Sequence, residues 1–297
     1  YDLTEGFSNY RLEYRFPLNY RGTAIQLGYR EGESRIIESP FDDADIRAEA
    51  DTFSFSVIQT LVRSPNTESS LSLSFERSTS RTFIFEDMPF SFGDSPENGR
   101  SQLSVLRFSG DWLKRLDQSV ISLASQLNFG LDLFDPTIND NEPDGIFFSW
   151  LGQAQWARAL NQERDIILIT RLVTQLTPHS LLPLEKFTLG GATTVRGYRQ
   201  NRLVGDNGIL GSVELAFSVI EDEWGELKLI PFFDIGRVWD VDGDFSQTLA
   251  SVGLGLDWQF RNFVSFQLNF GLPLTDLEPD RDSLSDNGIS FSIQLTP

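Results

Sequence analysis

In four separate stretches of this chain, apolar side chains recur at every second position. Tyr10, Leu12, Tyr14 and Phe16 alternate with Arg11, Glu13 and Arg15. Leu71, Leu73 and Phe75 alternate with serines and Glu76. Val264, Phe266, Leu268, Phe270 and Leu272 alternate with Ser265, Gln267, Asn269 and Gly271. Ile289, Phe291, Ile293 and Leu295 alternate with Ser290, Ser292 and Gln294. A helix turns every 3.6 residues and scatters such a pattern around its surface, whereas a strand sends alternate side chains to opposite faces. The chain is therefore all-β, built from strands with one apolar and one polar face.

Extending the pattern gives 13 segments, at about 8–16, 23–30, 52–62, 69–77, 101–113, 119–131, 146–159, 165–176, 209–219, 227–239, 249–260, 263–273 and 288–296. Most have the roughly 9–11 residues that a tilted strand needs to cross a bilayer. The sixth to eighth are less regular, and the face taken by Arg171 is open. The links alternate in length. Short ones such as "RSPNTE" and "KRLDQ" change places with long ones at about 31–51, 78–100, 132–145, 177–208, 240–248 and 274–287. Sorting of links by parity is the habit of a transmembrane antiparallel up-and-down β-barrel, with short periplasmic turns and long outer loops. A soluble sandwich has no reason to sort its loops this way. The last strand follows a long loop and the first precedes a short turn, so both run downward and "YDLTEGF" lies outside. A barrel with both ends in the periplasm needs an even number of strands. An odd number is thus expected before Tyr1, and residues 1–297 are expected to be the C-terminal part of a larger barrel.

Composition removes other readings. A formal charge of −19 argues against nucleic acid, which needs a basic field. There is no cysteine, so neither a disulfide framework nor a thiolate metal site is available. The single histidine, His179, sits between a proline and a serine and is expected to be a plain surface residue. The longest apolar runs, such as "IILI" at Ile166–Ile169, are too short for a transmembrane helix. Acid gathers in the long links: "FDDAD" at 41–45, "DPTINDNEPD" at 135–144, "DVDGD" at 240–244 and "DLEPDRD" at 276–282. "DVDGD" invites a calcium loop, but its glycine comes too early and the twelfth position is Ser251 rather than glutamate. Solvated loops with at most diffuse divalent-ion bridging are expected there. No nucleophile–base pair or phosphate-binding loop stands out, so no catalytic, cofactor-binding or metal residues are assigned and the chain is not expected to be an enzyme.

One link carries a feature that solvent exposure does not explain. "GGATTVRGYR" places Val195, Arg196, Gly197 and Tyr198 behind the loop glycines Gly190 and Gly191. In the strand at 227–239, Leu229, Pro231, Phe233 and Ile235 share a face suited to lipid, which turns Phe232, Asp234 and Gly236 inward. On the strand before it, Val213, Leu215 and Phe217 face lipid while Ser212 and Glu214 face in. The loop bearing Arg196 is attached to a neighbour of Asp234. If it folds into the lumen, its guanidinium can meet the carboxylate bidentately. The glycines permit the tight backbone this needs. A polar, water-accessible lumen is expected around the pair, with a modest desolvation cost.

"VRGY" in a long loop followed by "FFDIG" one strand later resembles the BamA and two-partner-secretion superfamily of outer-membrane barrels. Within it, "LLPLEKFTLGGATTVRGYRQNRLVGDNG" and "FFSWLGQAQWAR" look most like the ShlB/FhaC/HecB secretion/activation branch. The resemblance implies a 16-stranded barrel of which about 13 strands are present, with the first strands and periplasmic POTRA domains upstream. It implies that the motif arginine docks on the motif aspartate as a lock for an inward-folded loop. It also implies a monomeric pore in the outer membrane of a Gram-negative bacterium, in contact with its lipid, moving a large TpsA-like exoprotein to the surface without nucleotide or cofactor. Alternatives are a BamA- or Toc-like insertase or import barrel, and a passive diffusion porin, which needs no such lock. Outer-membrane barrels commonly end on an aromatic residue, where this chain has Pro297.

Overall fold

The structure, a computed structural model, describes residues 2–4, 7–35, 45–85, 88–90, 99–139, 143–243, 245–261, 263–275 and 287–295. Its strands are β1 (Asp2–Thr4), β2 (Phe7–Pro17), β3 (Thr23–Arg35), β4 (Arg47–Arg63), β5 (Thr67–Ile84) and β6 (Met88–Pro89). Then come β7 (Arg100–Arg115), β8 (Ser119–Gly130), β9 (Phe148–Ala159), β10 (Ile166–Leu176), β11 (Phe187–Leu189) and β12 (Leu203–Gly205). The last are β13 (Asn207–Asp222), β14 (Gly225–Trp239), β15 (Ser246–Phe260), β16 (Val264–Pro273) and β17 (Ile289–Leu295). Each of the 13 periodic segments is a strand. They pair antiparallel with their sequence neighbours in one sheet, in the order β1-β2-β3-β4-β5-β7-β8-β9-β10-β13-β14-β15-β16-β17, with β6 on the end of β5. The short β11 and β12 pair with each other inside the link from β10 to β13.

Among the described residues the sheet does not close on itself: β17 pairs with β16 alone, and the far edge of β2 carries only β1. Three expectations need correction. "YDLTEGF" is not all loop, because Asp2–Thr4 folds back on β2. The links at 31–51 and 78–100 are shorter than expected, because β3, β4 and β5 continue into them. There the polar residues Glu31, Asp51 and Thr79 stay in register, and a ladder of backbone hydrogen bonds needs no apolar face once it leaves the bilayer. Finally, the alternation of link lengths has an exception, since 240–245 is no longer than the "short" link 160–165. The acidic residues 41–44, 140–142 and 276–282, and Pro297, lie outside the described residues.

The two faces separate by period. Tyr10, Leu12, Tyr14, Phe53, Phe55, Leu73, Phe108, Val213, Phe233, Phe270 and Phe291 are large apolar side chains exposed on one face. At the short-turn end, Tyr20, Trp224 and Phe263 are exposed, Trp224 stacks on Phe260, and Arg261 lies over the Trp224 ring. An apolar band edged by aromatic residues is how a spanning sheet meets lipid and its headgroups. The opposite face is divided. Along β4 and β5 no described residue is buried, and its inner positions are mostly small and polar, such as Ser54, Ser56, Ser72 and Ser74. From β7 to β16 it is covered by the link 177–206, which folds inward and forms two apolar clusters against the wall.

Candidate functional site

The inward link begins where Thr177 donates its backbone N–H to Asn207 Oδ1 (2.7 Å) and its hydroxyl to the Phe148 carbonyl (2.7 Å). His179 is half-buried and accepts the Phe148 N–H on Nδ1 (3.3 Å), so it pins the start of the link rather than standing free at a surface. Leu181 and Leu182 are fully buried against Leu103, Val105 and Phe147. A short 3-10 turn at Pro183–Glu185 leads into β11. The tip, from Gly190 to Asn201, closes on itself through the Asn201 N–H to the Gly190 carbonyl. Gly190, Gly191 and Gly197 all have φ near +100° (105°, 102° and 94°), which side chains strongly disfavour.

The tip lowers Arg196 onto a square of four inward residues. Ser212 faces Asp234 across the β13–β14 ladder, and Glu214 faces Phe232 two residues along. The period of two puts all four on one face. Arg196 Nε donates to Asp234 Oδ2 (2.8 Å) and Nη2 donates to Asp234 Oδ1 (2.8 Å), while the Arg196 backbone N–H also reaches Oδ2 (3.2 Å). Nη2 lies 2.7 Å from Glu214 Oε1, and the guanidinium carbon lies 3.6 Å from the centroid of the Phe232 ring. The Ser212 hydroxyl donates to Asp234 Oδ1 (2.6 Å). The side chain of Asp234 is 0% exposed and that of Arg196 8%, so the water-accessible setting expected from sequence is wrong. The loop itself shuts water out. Val195 is fully buried in a cluster with Val173, Leu189, Tyr198, Leu210, Val238 and Leu249. Burial pulls the Arg196 pKa down, but the hydrogen bonds and charge of Asp234, with Glu214 behind them, outweigh it and leave the pKa raised. The guanidinium is a permanent cation here.

Three supports join motif residues to partners that carry no signal in the sequence. Tyr198 donates its hydroxyl to the Ala250 carbonyl (2.8 Å) and accepts the Thr275 N–H (3.1 Å), tying the tip to β15 and to the residues just past β16. Gly197 rests directly on Gly271 of β16: a Cβ on Gly197 would lie 2.9 Å from the Gly271 carbonyl carbon. A Cβ on Gly271 would lie 2.6 Å from the Gly197 nitrogen. Gly253 faces Phe232 across β14–β15, where a Cβ would lie 2.3 Å from the ring, so its bareness lets the ring lie flat beneath the guanidinium. The place of Gly236 is similar, since a Cβ there would meet Leu189 of β11 at 2.7 Å. Arg171, whose face was open, turns inward and donates to the Thr193 carbonyl (2.9 Å).

The acidic run at 240–244 also takes part. Asp240 accepts the Asp206 N–H (3.2 Å) and lies 3.7 Å from Lys186, whose closer partner is Asp206 at 3.0 Å. Asp240 is therefore engaged with the base of the loop rather than simply solvated. No grouping of His, Asp and Glu suited to a metal ion occurs among the described residues.

A family model described as haemolysin secretion/activation protein ShlB/FhaC/HecB matches residues 3–258. Among solved structures, CdiB from Escherichia coli aligns with a TM-score of 0.78 at 18% identity, covering 97% of this chain and 52% of that one. CdiB from Acinetobacter baumannii aligns at 0.69 and 14% identity, covering 97% of this chain and 49% of that one. BamA from Haemophilus ducreyi lacking POTRA domains 1–3 aligns at 0.65 and 15% identity, covering 97% of this chain and 61% of that one. The chain spans about half the length of the two CdiB structures, and at these identities the likeness is one of fold. No curated protein gives a sequence match.

Proposed function

The chain belongs to the ShlB/FhaC/HecB family of haemolysin secretion/activation proteins, and from that premise we propose that it is the C-terminal part of an outer-membrane pore for a secreted protein. The pore passes one large, unfolded exoprotein from periplasm to cell surface, without nucleotide. The upstream part supplies the remaining strands and the POTRA domains that receive the cargo. The pore acts as a monomer in lipid.

The observation that carries this reading is the buried Arg196–Asp234 pair beneath an inward-folded loop. A passive porin has no use for a loop seated with this much buried chemistry on its wall. A conduit that must stay shut to small solutes until cargo arrives does. The division of the inner face supports the same reading: one half is filled by the loop and the other is a small, polar surface along β4 and β5. Short hydroxyl side chains exchange hydrogen bonds with water and with a passing backbone at little cost, and they offer no apolar patch to hold an unfolded chain.

The likeness to BamA keeps a second reading in view, an insertase that feeds new barrels into the membrane. One experiment separates them. Cells depleted of the full-length protein are scored for large exoproteins released to the medium and for total outer-membrane barrels. Exoprotein trapped in the periplasm with normal barrel levels supports secretion. A general loss of barrels with no specific exoprotein defect sinks it in favour of the insertase.

A further inference from the structure

The inward loop meets the wall at a second arginine, which lies on the wall rather than on the loop. Arg107, on β7, donates from Nη2 to Glu185 Oε1 (2.6 Å) and from Nη1 to Glu185 Oε2 (3.0 Å), a bidentate pair with the last residue of the 3-10 turn. Its Nε donates to Glu76 Oε2 of β5 (2.7 Å), and Nη1 also reaches Asn128 Oδ1 of β8 (2.9 Å). Side-chain exposure is 16% for Arg107 and 10% for Glu185. Beside this cluster, Leu181 and Leu182 fill the apolar pocket of Leu103, Val105 and Phe147. On its other side the same segment is held to β10 and the base of the loop. Gln175 Nε2 donates to the Glu185 and Asp206 carbonyls (2.8 and 3.0 Å), and Lys186 pairs with Asp206.

The two arginines differ in what their separation would leave behind. Removing the Arg196 guanidinium while the loop stays seated strands Asp234, fully buried, with only the Ser212 hydroxyl and the Arg196 backbone N–H for company. An uncompensated buried charge is a large penalty. Withdrawing Glu185 leaves Arg107 still paired with Glu76 and bonded to Asn128, while the freed carboxylate goes to water. No charge is orphaned. The second contact is built to let go and re-form.

We propose that Arg107 is a positioning residue for gating: with Glu185 it forms a latch that holds the first half of the loop on β7. The inference rests on the reading of the loop as the closure of a secretion pore. When the latch opens, the Glu185 side chain swings off Arg107 into the lumen, while the bonds from Gln175 to the Glu185 carbonyl and from the Leu181 N–H to Asp206 hold the segment's backbone and Arg196 stays seated. The lumen widens along β5 to β8, next to the serine-lined wall, and not along β13 to β16.

The test uses the full-length transporter in planar bilayers without exoprotein, with secretion measured separately in cells. Arg107→Gln and Glu185→Gln are each expected to raise the open fraction on the order of ten-fold, and the double variant no further. The exchange Arg107→Glu with Glu185→Arg is expected to return the channel to its resting behaviour. In it, the guanidinium introduced at position 185 would meet both the carboxylate introduced at position 107 and that of Glu76. A lone cysteine at Ser149, buried on the inner face beside Asn128, is expected to react faster with a maleimide in either single variant. Folded mobility on unheated gels is checked first. Glu185→Gln leaves the wall untouched and carries the test should Arg107→Gln not fold. Single variants that conduct and label like the parent, additive singles, or a folded exchange variant that stays open would each overturn the latch. Because conductance needs no cargo, the latch can fail while secretion stands, and secretion can fail while the latch stands.

Discussion

Arg196 and Arg107 are each an arginine held by two carboxylates on the inner face of one sheet, yet they are built in opposite senses. At the first, the loop supplies the cation and the wall supplies Asp234 and Glu214. At the second, the wall supplies the cation and one anion, Glu76, and the loop supplies only Glu185. The first is also backed by the Phe232 ring, by the Tyr198 hydroxyl and by backbone lying on backbone at Gly197 and Gly271. The second is backed by Leu181 and Leu182 in their apolar pocket and by Gln175 on the Glu185 carbonyl, with no ring and no backbone-on-backbone contact beneath the cation. A contact whose parting orphans a buried charge is an anchor, and one whose parting does not is a catch.

The largest expected effect comes from breaking the anchor. Removing one partner of a buried pair costs about 3–5 kcal/mol, so Arg196→Ala or Asp234→Ala should unseat the loop and abolish most secretion. The barrel should keep its folded mobility, because its stability rests on the strand ladder and the lipid-facing residues. The double variant should be no worse than either single one, and multiplied defects would show that the two residues act apart. Next in size is Gly271→Val, which puts a side chain where the Gly197 backbone lies. Limited proteolysis of the loop should become fast in this variant and stay slow in Gly32→Ala, where the backbone is not left-handed and a Cβ meets only the Ser8 carbonyl at 3.6 Å. A smaller loss is expected from Gly253→Ala, whose Cβ presses on both the Phe270 carbonyl of β16 (2.2 Å) and the Phe232 ring (2.3 Å) without touching either charge. Arg107→Gln should leave secretion near normal while disturbing resting closure, the reverse of the Arg196 pattern. Ser212→Ala should do least. It removes one hydroxyl from an aspartate that keeps both of its guanidinium bonds, and any secretion loss beyond about five-fold would mean that neutral donors matter more here than a net bond of about 1 kcal/mol allows.

Much of the fold is legible in the sequence because lipid enforces alternation. Wherever one face must be apolar, as at Val264 to Leu272, the period of two is written in the residues. Beyond the bilayer that demand lapses, and so the outer ends of β3, β4 and β5 carry no signal that tells them from loop. The anchor is legible in part. Arg196 and Asp234 can be paired because each sits in a short motif and Asp234 falls on the inward phase of a clear strand. Gly253 and Gly271 cannot, since a bare inward position looks the same whether it faces water or a ring. Arg107 and Glu185 lie 78 positions apart, in a strand and a loop with no shared pattern, and only the folded chain brings them together. The depth of burial of the Arg196–Asp234 pair is hidden for the same reason. Water expected in the lumen is displaced by Val195, Leu189 and their neighbours, which the sequence places in a loop.

The meeting of Gly197 with Gly271 has one more consequence. Neither residue can be made smaller, so a substitution at one cannot be relieved by a compensating change at the other. Sliding the loop along β16 by the two residues that preserve facing would bring Asn269 or Pro273 beneath Gly197, and each carries a side chain where none fits. The contact is a depth stop: it fixes how far the loop descends along the pore axis to a single step of the strand, about 7 Å for two residues.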